Sequence, residues 1–116
     1  MTLAPETTDL KIQLRLDDDW FTVCELSQLI PGRGVAALLP DGRQVALFRD
    51  RAGELYGIDN RDPFIGAAVL SRGLTGTHEG RPFVASPLLK QRFDLQSGQC
   101  LDDETVTVTA YEVRAH

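Results

Sequence analysis

Along "DLKIQLRLD" (9–17), apolar and polar residues alternate. Leu10, Ile12, Leu14 and Leu16 fall on one face, and Lys11, Gln13 and Arg15 on the other. A period of two predicts a half-buried β-strand. "DDDW" interrupts the pattern ahead of "WFTVCEL" (20–26), where aromatic and β-branched residues favour a second strand. "VAALL" (35–39) and "RQVALFR" (43–49) flank Pro40-Asp41-Gly42 and predict a hairpin, because glycine takes positive φ without strain. "DRAGE" (50–54) predicts another turn, leading into "LYGIDN" (55–60).

The stretch 61–82 is irregular. Glycines and prolines punctuate it and no period of 3.6 runs through it. "PFVAS" (82–86) and "RFDL" (92–95) predict short strands. "TVTVTAYEVRA" (105–115) predicts the last one, with an apolar phase that slips. Val106 and Val108 share one face, Tyr111 and Val113 the other, and a bulge near Thr109-Ala110 would account for that. "CELSQLI" offers one helical turn at most. The predicted fold is all-β: a small antiparallel sandwich or partly open barrel with two long loops and little helix.

Charge and composition narrow the function classes. The chain has 116 residues, 12 basic and 17 acidic, for a net charge of −5. Nucleic-acid binding requires a basic face that displaces counterions, so the balance argues against it. No apolar run reaches the length of a membrane span, and "MTLAPETTDL" lacks the basic and apolar segments of a signal peptide. The cytoplasm is the expected compartment. Cys24, Cys100, His78 and His116 add up to two cysteines and two histidines, but no two are closely spaced as in small metal sites. Buried thiols and surface imidazoles are the expectation. Trp20, Tyr56 and Tyr111, at strand positions, are expected in the core.

"YGIDNRDPFIGA" followed by "VASPLLKQRFDLQSGQCL" resembles the loop skeleton of the Rieske iron–sulfur domain. In that family the first loop carries Cys-x-His and the second Cys-x-x-His. Phe93-Asp94-Leu95 and Ser97-Gly98 match the strand and turn that follow the second loop. The thiolate positions fall on Asp62 and Ser86, the imidazole positions on Phe64 and Leu89. A Rieske [2Fe–2S] centre takes two thiolates on one iron and two imidazoles on the other, so this set predicts no cluster. "DPF", "VLSRG" (69–73), "SPLLKQ" (86–91) and "CLDD" (100–103) are more specific. They resemble the small-subunit family of cytoplasmic NAD(P)H-dependent nitrite reductases, Rieske-like proteins that characteristically lack cluster ligands. The resemblance runs from about Trp20 to Val113, which implies a Rieske-like domain over 20–116 and leaves 1–19 as an N-terminal extension with a possible extra strand.

That resemblance implies a role in an enzyme whose large subunit carries FAD, sirohaem and [4Fe–4S], and which reduces nitrite to ammonium in nitrogen assimilation. It implies no catalytic, cofactor-binding or metal-ligating residue in this chain, and a role in assembly or regulation. Other readings are a regulatory or interaction module of another oxidoreductase, and a stand-alone Rieske-type electron carrier, which the missing ligands disfavour. Asp62-Pro63 and Ser86-Pro87 read as turn chemistry. Phe64 and Leu89 either pack together in the space a cluster would fill or stand exposed as a docking surface. Arg72, Lys90 and Arg92 form a local basic excess suited to a partner of opposite charge. Phe64, Arg72, Leu89, Lys90 and Arg92 are therefore the docking candidates, with the large subunit as the expected partner and neither nucleic acid nor membrane.

Overall fold

The computed structural model describes residues 10–116. Ten strands follow one another: β1 Lys11–Leu16, β2 Asp19–Glu25, β3 Val35–Leu38, β4 Gln44–Arg49, β5 Leu55–Asp59, β6 Leu74–His78, β7 Arg81–Ala85, β8 Arg92–Asp94, β9 Ala110–Tyr111 and β10 Val113–Ala115. They build three antiparallel sheets, ordered β10-β1-β2, β3-β4-β5-β9 and β6-β7-β8. Two 3-10 turns, Leu26–Gln28 and Leu70–Arg72, supply the only helix among the described residues, and neither is long enough to cross a membrane.

The middle sheet is covered on both faces, and β4 shows why. Val45, Ala46, Leu47 and Phe48 are all buried. An unbroken apolar run is what a strand needs when neither face meets water. Val45 and Leu47 join Ile12 and Leu14 of β1, with Leu29 and Leu39, in one core cluster. Ala46 and Phe48 point the other way, into a second cluster with Ile58, Leu70, Val84, Phe93, Leu95, Cys100 and Val108. Each large side chain so buried contributes about 1.5–3 kcal/mol.

Most expected strands are present. The one expected over 9–17 forms over Lys11–Leu16 and pairs with both β2 and β10; residue 9 lies outside the described residues, as do the other calls on 1–9. Three expectations change. A strand, β6, forms inside the stretch read as irregular, because its glycine-threonine sequence hides a pairing with β7 that only tertiary contact supplies. The last strand is not bulged but divided. β9 pairs with β5 and β10 pairs with β1, so the chain changes sheets at Glu112 and its apolar face changes with it. Trp20 is not in either core; the Arg114 guanidinium lies 4.0 Å over its ring at the half-exposed sheet face.

Gly98 shows the tightest backbone fit near the loops. Its φ is +79°, and a Cβ there would collide with the Val108 carbonyl oxygen. Gly42, at φ +92°, has open space around it. Gly98→Ala should lower unfolding free energy by more than about 2 kcal/mol and Gly42→Ala by only about 1 kcal/mol, from αL strain alone. Denaturant titration of both variants checks the order.

Candidate functional site

The two long loops are built as the same turn. At the first, the Asp62 amide donates to the Ala67 carbonyl at 2.8 Å and the Gly66 amide returns to the Asp62 carbonyl at 2.7 Å. At the second, Ser86 N–H donates to Gln91 O at 2.8 Å and Lys90 N–H to Ser86 O at 3.1 Å. A third copy follows: Asp94 N–H to Gln99 O at 2.8 Å and Gly98 N–H to Asp94 O at 2.8 Å. In each, the fifth residue has positive φ: Gly66 at 76°, Lys90 at 71°, Gly98 at 79°. The third is the turn expected at Ser97-Gly98, but its likeness to the other two was not foreseen. Its signal was available, a short polar residue four places before an αL position: Asp62…Gly66, Ser86…Lys90, Asp94…Gly98.

The first residue of each turn is buried. Buried polar groups need partners, and these have them. The Ser86 hydroxyl donates to Asp62 Oδ2 at 2.5 Å, tying the two long loops together. Asp62 Oδ1 accepts from the Phe64 amide at 2.8 Å. Asp94 accepts from the amides of Gln96 and Ser97 and pairs with Arg81 Nε at 2.7 Å. The base of the first loop is fixed by Asn60, whose amide oxygen accepts from Ser71 N–H at 2.7 Å. That bond sets the Leu70–Arg72 turn against the loop.

The other expected site residues separate. Phe64 is half-buried and packs on the core, its ring 6.2 Å from that of Phe93. Leu89 is exposed at the loop tip. Arg72 and Lys90 are exposed, and neither makes an ion pair among the described residues. Arg92 is engaged within the chain. Its guanidinium grips Asp102 at 2.8 and 3.2 Å and lies 5.6 Å over the Phe83 ring. The hydrogen bonds from Arg92 hold the Asp102 carboxyl below the usual range. Beside the first loop lies an open groove of about 520 Å³ lined by Asp41, Arg43, Asp59, Arg61 and Gly66. Much of its polarity is satisfied internally: Arg43 pairs with Asp41 at 2.8 Å, and the Tyr111 hydroxyl donates to Asp59 at 2.7 Å.

These four positions do not fit a [2Fe–2S] cluster. Where thiolates would stand, a carboxylate and a hydroxyl are hydrogen-bonded to each other; where imidazoles would stand, one side chain packs on Phe93 and one faces outward. Among the described residues, no three His, Cys, Asp or Glu side chains are gathered as for a metal ion. Cys100 is buried, and burial raises the half-buried Cys24 thiol pKa.

Residues 19–116 match the sequence profile of the Rieske-like [2Fe-2S] domain. The chain belongs to that family. Within it, the Rieske-like chain is 47% identical over 96 residues to the nitrite reductase (NADH) small subunit of Salmonella typhimurium, covering 82% of this chain and 88% of that one. It is 41% identical over 95 residues to part of the nitrite reductase [NAD(P)H] large subunit of Klebsiella oxytoca, 82% of this chain but 10% of that protein. The crystal structure of an NADH-dependent nitrite reductase small subunit from Mycobacterium tuberculosis superposes with a TM-score of 0.74 at 42% identity, covering 92% of this chain and 96% of that one. The chain is thus a homologue of nitrite reductase small subunits with a Rieske-like fold.

Ser86→Ala should leave the buried Asp62 Oδ2 without its partner and cost about 2–3 kcal/mol, read as a lower denaturation midpoint. Lys90→Gly should match or exceed the parent stability by up to about 1 kcal/mol, because relief of αL strain outweighs glycine's backbone entropy. The folded pKa of Asp102 is depressed, so the Arg92–Asp102 pair stabilises above the unfolded carboxylate pKa and its contribution is lost as pH falls through the folded value. Arg92→Ala should therefore flatten the acid arm of the stability profile below about pH 4.

Proposed function

We propose that this chain is the small subunit of a cytoplasmic NAD(P)H-dependent nitrite reductase, working without a cluster of its own in the assembly or regulation of a large subunit. The observation that carries the proposal is the likeness to nitrite reductase small subunits at 47% identity over most of both chains. The site chemistry supports the second half. A domain whose four loop positions hold Asp62, Phe64, Ser86 and Leu89 has no way to pass electrons through a Rieske centre, so its contribution lies in binding.

On this reading the large subunit carries FAD, sirohaem and [4Fe–4S], and moves electrons from NAD(P)H to nitrite. No residue of the small chain takes part in the chemistry. The Klebsiella large subunit supports the pairing, because a segment like this chain is joined there to the large polypeptide. Residues 1–19 are proposed as an extension to the domain of 20–116.

Reconstitution tests the proposal. NAD(P)H-dependent nitrite reduction and the yield of intact large subunit should both be measured with and without this chain. Higher activity or yield with the chain is expected. No change in either would overturn the role, and iron with visible absorption in the purified chain would overturn its cluster-free part.

A further inference from the structure

Six large apolar side chains are exposed among the described residues, and four of them lie on or next to the two long loops. Ile65 (36% exposed) sits on the first long loop, and Leu88 (59%) and Leu89 (51%) on the second. Leu74 (75%) opens β6 opposite Ala85, the residue before Ser86. The Ser86–Asp62 hydrogen bond holds the two loops side by side, so these side chains share the loop end rather than lying scattered. Isolated exposed leucines are ordinary, whereas a grouped set marks a contact surface.

The charge within the segments that carry these side chains is one-sided. The chain carries 17 acidic residues, and none falls in 63–78 or 82–93, the segments that form the end. Asp62, beside them, is buried and turned inward. Arg72 and Lys90 flank the apolar group, both exposed. Lys90 holds a left-handed backbone, φ 71°, at the corner of its turn, which fixes where its side chain leaves the loop. This end thus carries two exposed cations, while the carboxylates brought beside it, Asp41, Asp59 and Asp102, are already held by Arg43, Tyr111 and Arg92.

Resting on the assembly role proposed above, we infer that this end, centred on Ile65, Leu74, Leu88 and Leu89 with Arg72 and Lys90 at its rim, is the surface that docks on the nitrite reductase large subunit, against an apolar recess with an acidic border. Phe64 and Arg92 act behind the surface, one packed on Phe93 and the other locked to Asp102. Three features select the occupant. A segment like this chain is covalently part of a large subunit in Klebsiella oxytoca. A second copy of the chain would bring like-charged ends together. The apolar centre with a charged rim matches the anatomy of protein–protein interfaces.

The test measures binding of the full chain to the purified large subunit, with the melting temperature of every variant recorded. Leu88→Ser/Leu89→Ser should weaken binding about tenfold with the melting temperature unchanged, as loss of central apolar anchors does. Arg72→Glu/Lys90→Glu should slow association several-fold at low salt, with the difference fading at high salt. Leu38→Ser, an equally exposed apolar position on the β3 edge, should bind as the parent does. If the parent binds and both loop-end variants bind equally well, the surface is wrong while the assembly role stands. Weakening by Leu38→Ser alone would likewise move the interface elsewhere. If the parent fails to bind and instead sediments with phosphatidylserine vesicles, the surface is a lipid-binding one and both proposals fall. Failure to bind either also removes both.

Discussion

The structure depends on β4 being buried on both faces. Val45 and Leu47 serve one core and Ala46 and Phe48 the other, so this strand joins three small sheets into one unit. Neither cluster alone is large, and a domain of this size has little apolar surface to spare. Sharing the strand lets both clusters use the same backbone order, whose entropic cost is then met once for two cores. The turn at Leu70–Arg72 and the strands β7 and β8 all rest on the Phe48 face. The loops that make up the candidate site are therefore positioned by this strand at one remove.

The loop end shows how loops of Rieske-like spacing are held when a carboxylate, a hydroxyl and two apolar side chains stand at their ligand positions. In a Rieske centre the loops are bridged through iron. Here the bridge is a single buried hydrogen bond from Ser86 to Asp62, supported by backbone bonds that repeat in three turns. Each turn is closed twice by its own backbone, so the loops need little from outside to keep their shape. Phe64, at an imidazole position, lies over Phe93 and gives apolar contact to the core beneath. Side chains freed from ligation can then serve the outer face, as Leu89 does. Polar satisfaction inside and apolar exposure outside are two consequences of the same substitution.

Much of this was legible in the chain. The alternation of 10–16, the Asp41-Gly42 hairpin and the continuous "VALF" of β4 each carry a local signal, and each element formed. That phenylalanine and leucine cannot coordinate iron is likewise a property of the residues themselves, whatever the packing. What failed was what depends on pairing at a distance. "LTGTH" has weak strand character and becomes β6 only because β7 lies beside it. The phase slip in 105–115 was visible, but whether it meant a bulge or a change of sheet rested on β1 and β5, far back along the chain. Arg92 read as a free cation because Asp102, ten residues on, gave no sign that it would fold back onto it.

The sequence by itself determined an all-β domain, two loops of Rieske-like spacing and a donor set unfit for a cluster. These follow from periodicity, turn residues and side-chain chemistry, which are properties of single positions and their near neighbours. Only the tertiary structure decided that Asp62 and Ser86 satisfy each other, that Phe64 turns inward onto Phe93 while Leu89 turns out, and that Arg92 folds onto Asp102. Those are facts about distance between residues remote in the chain. They are set by how the sheets pack around β4.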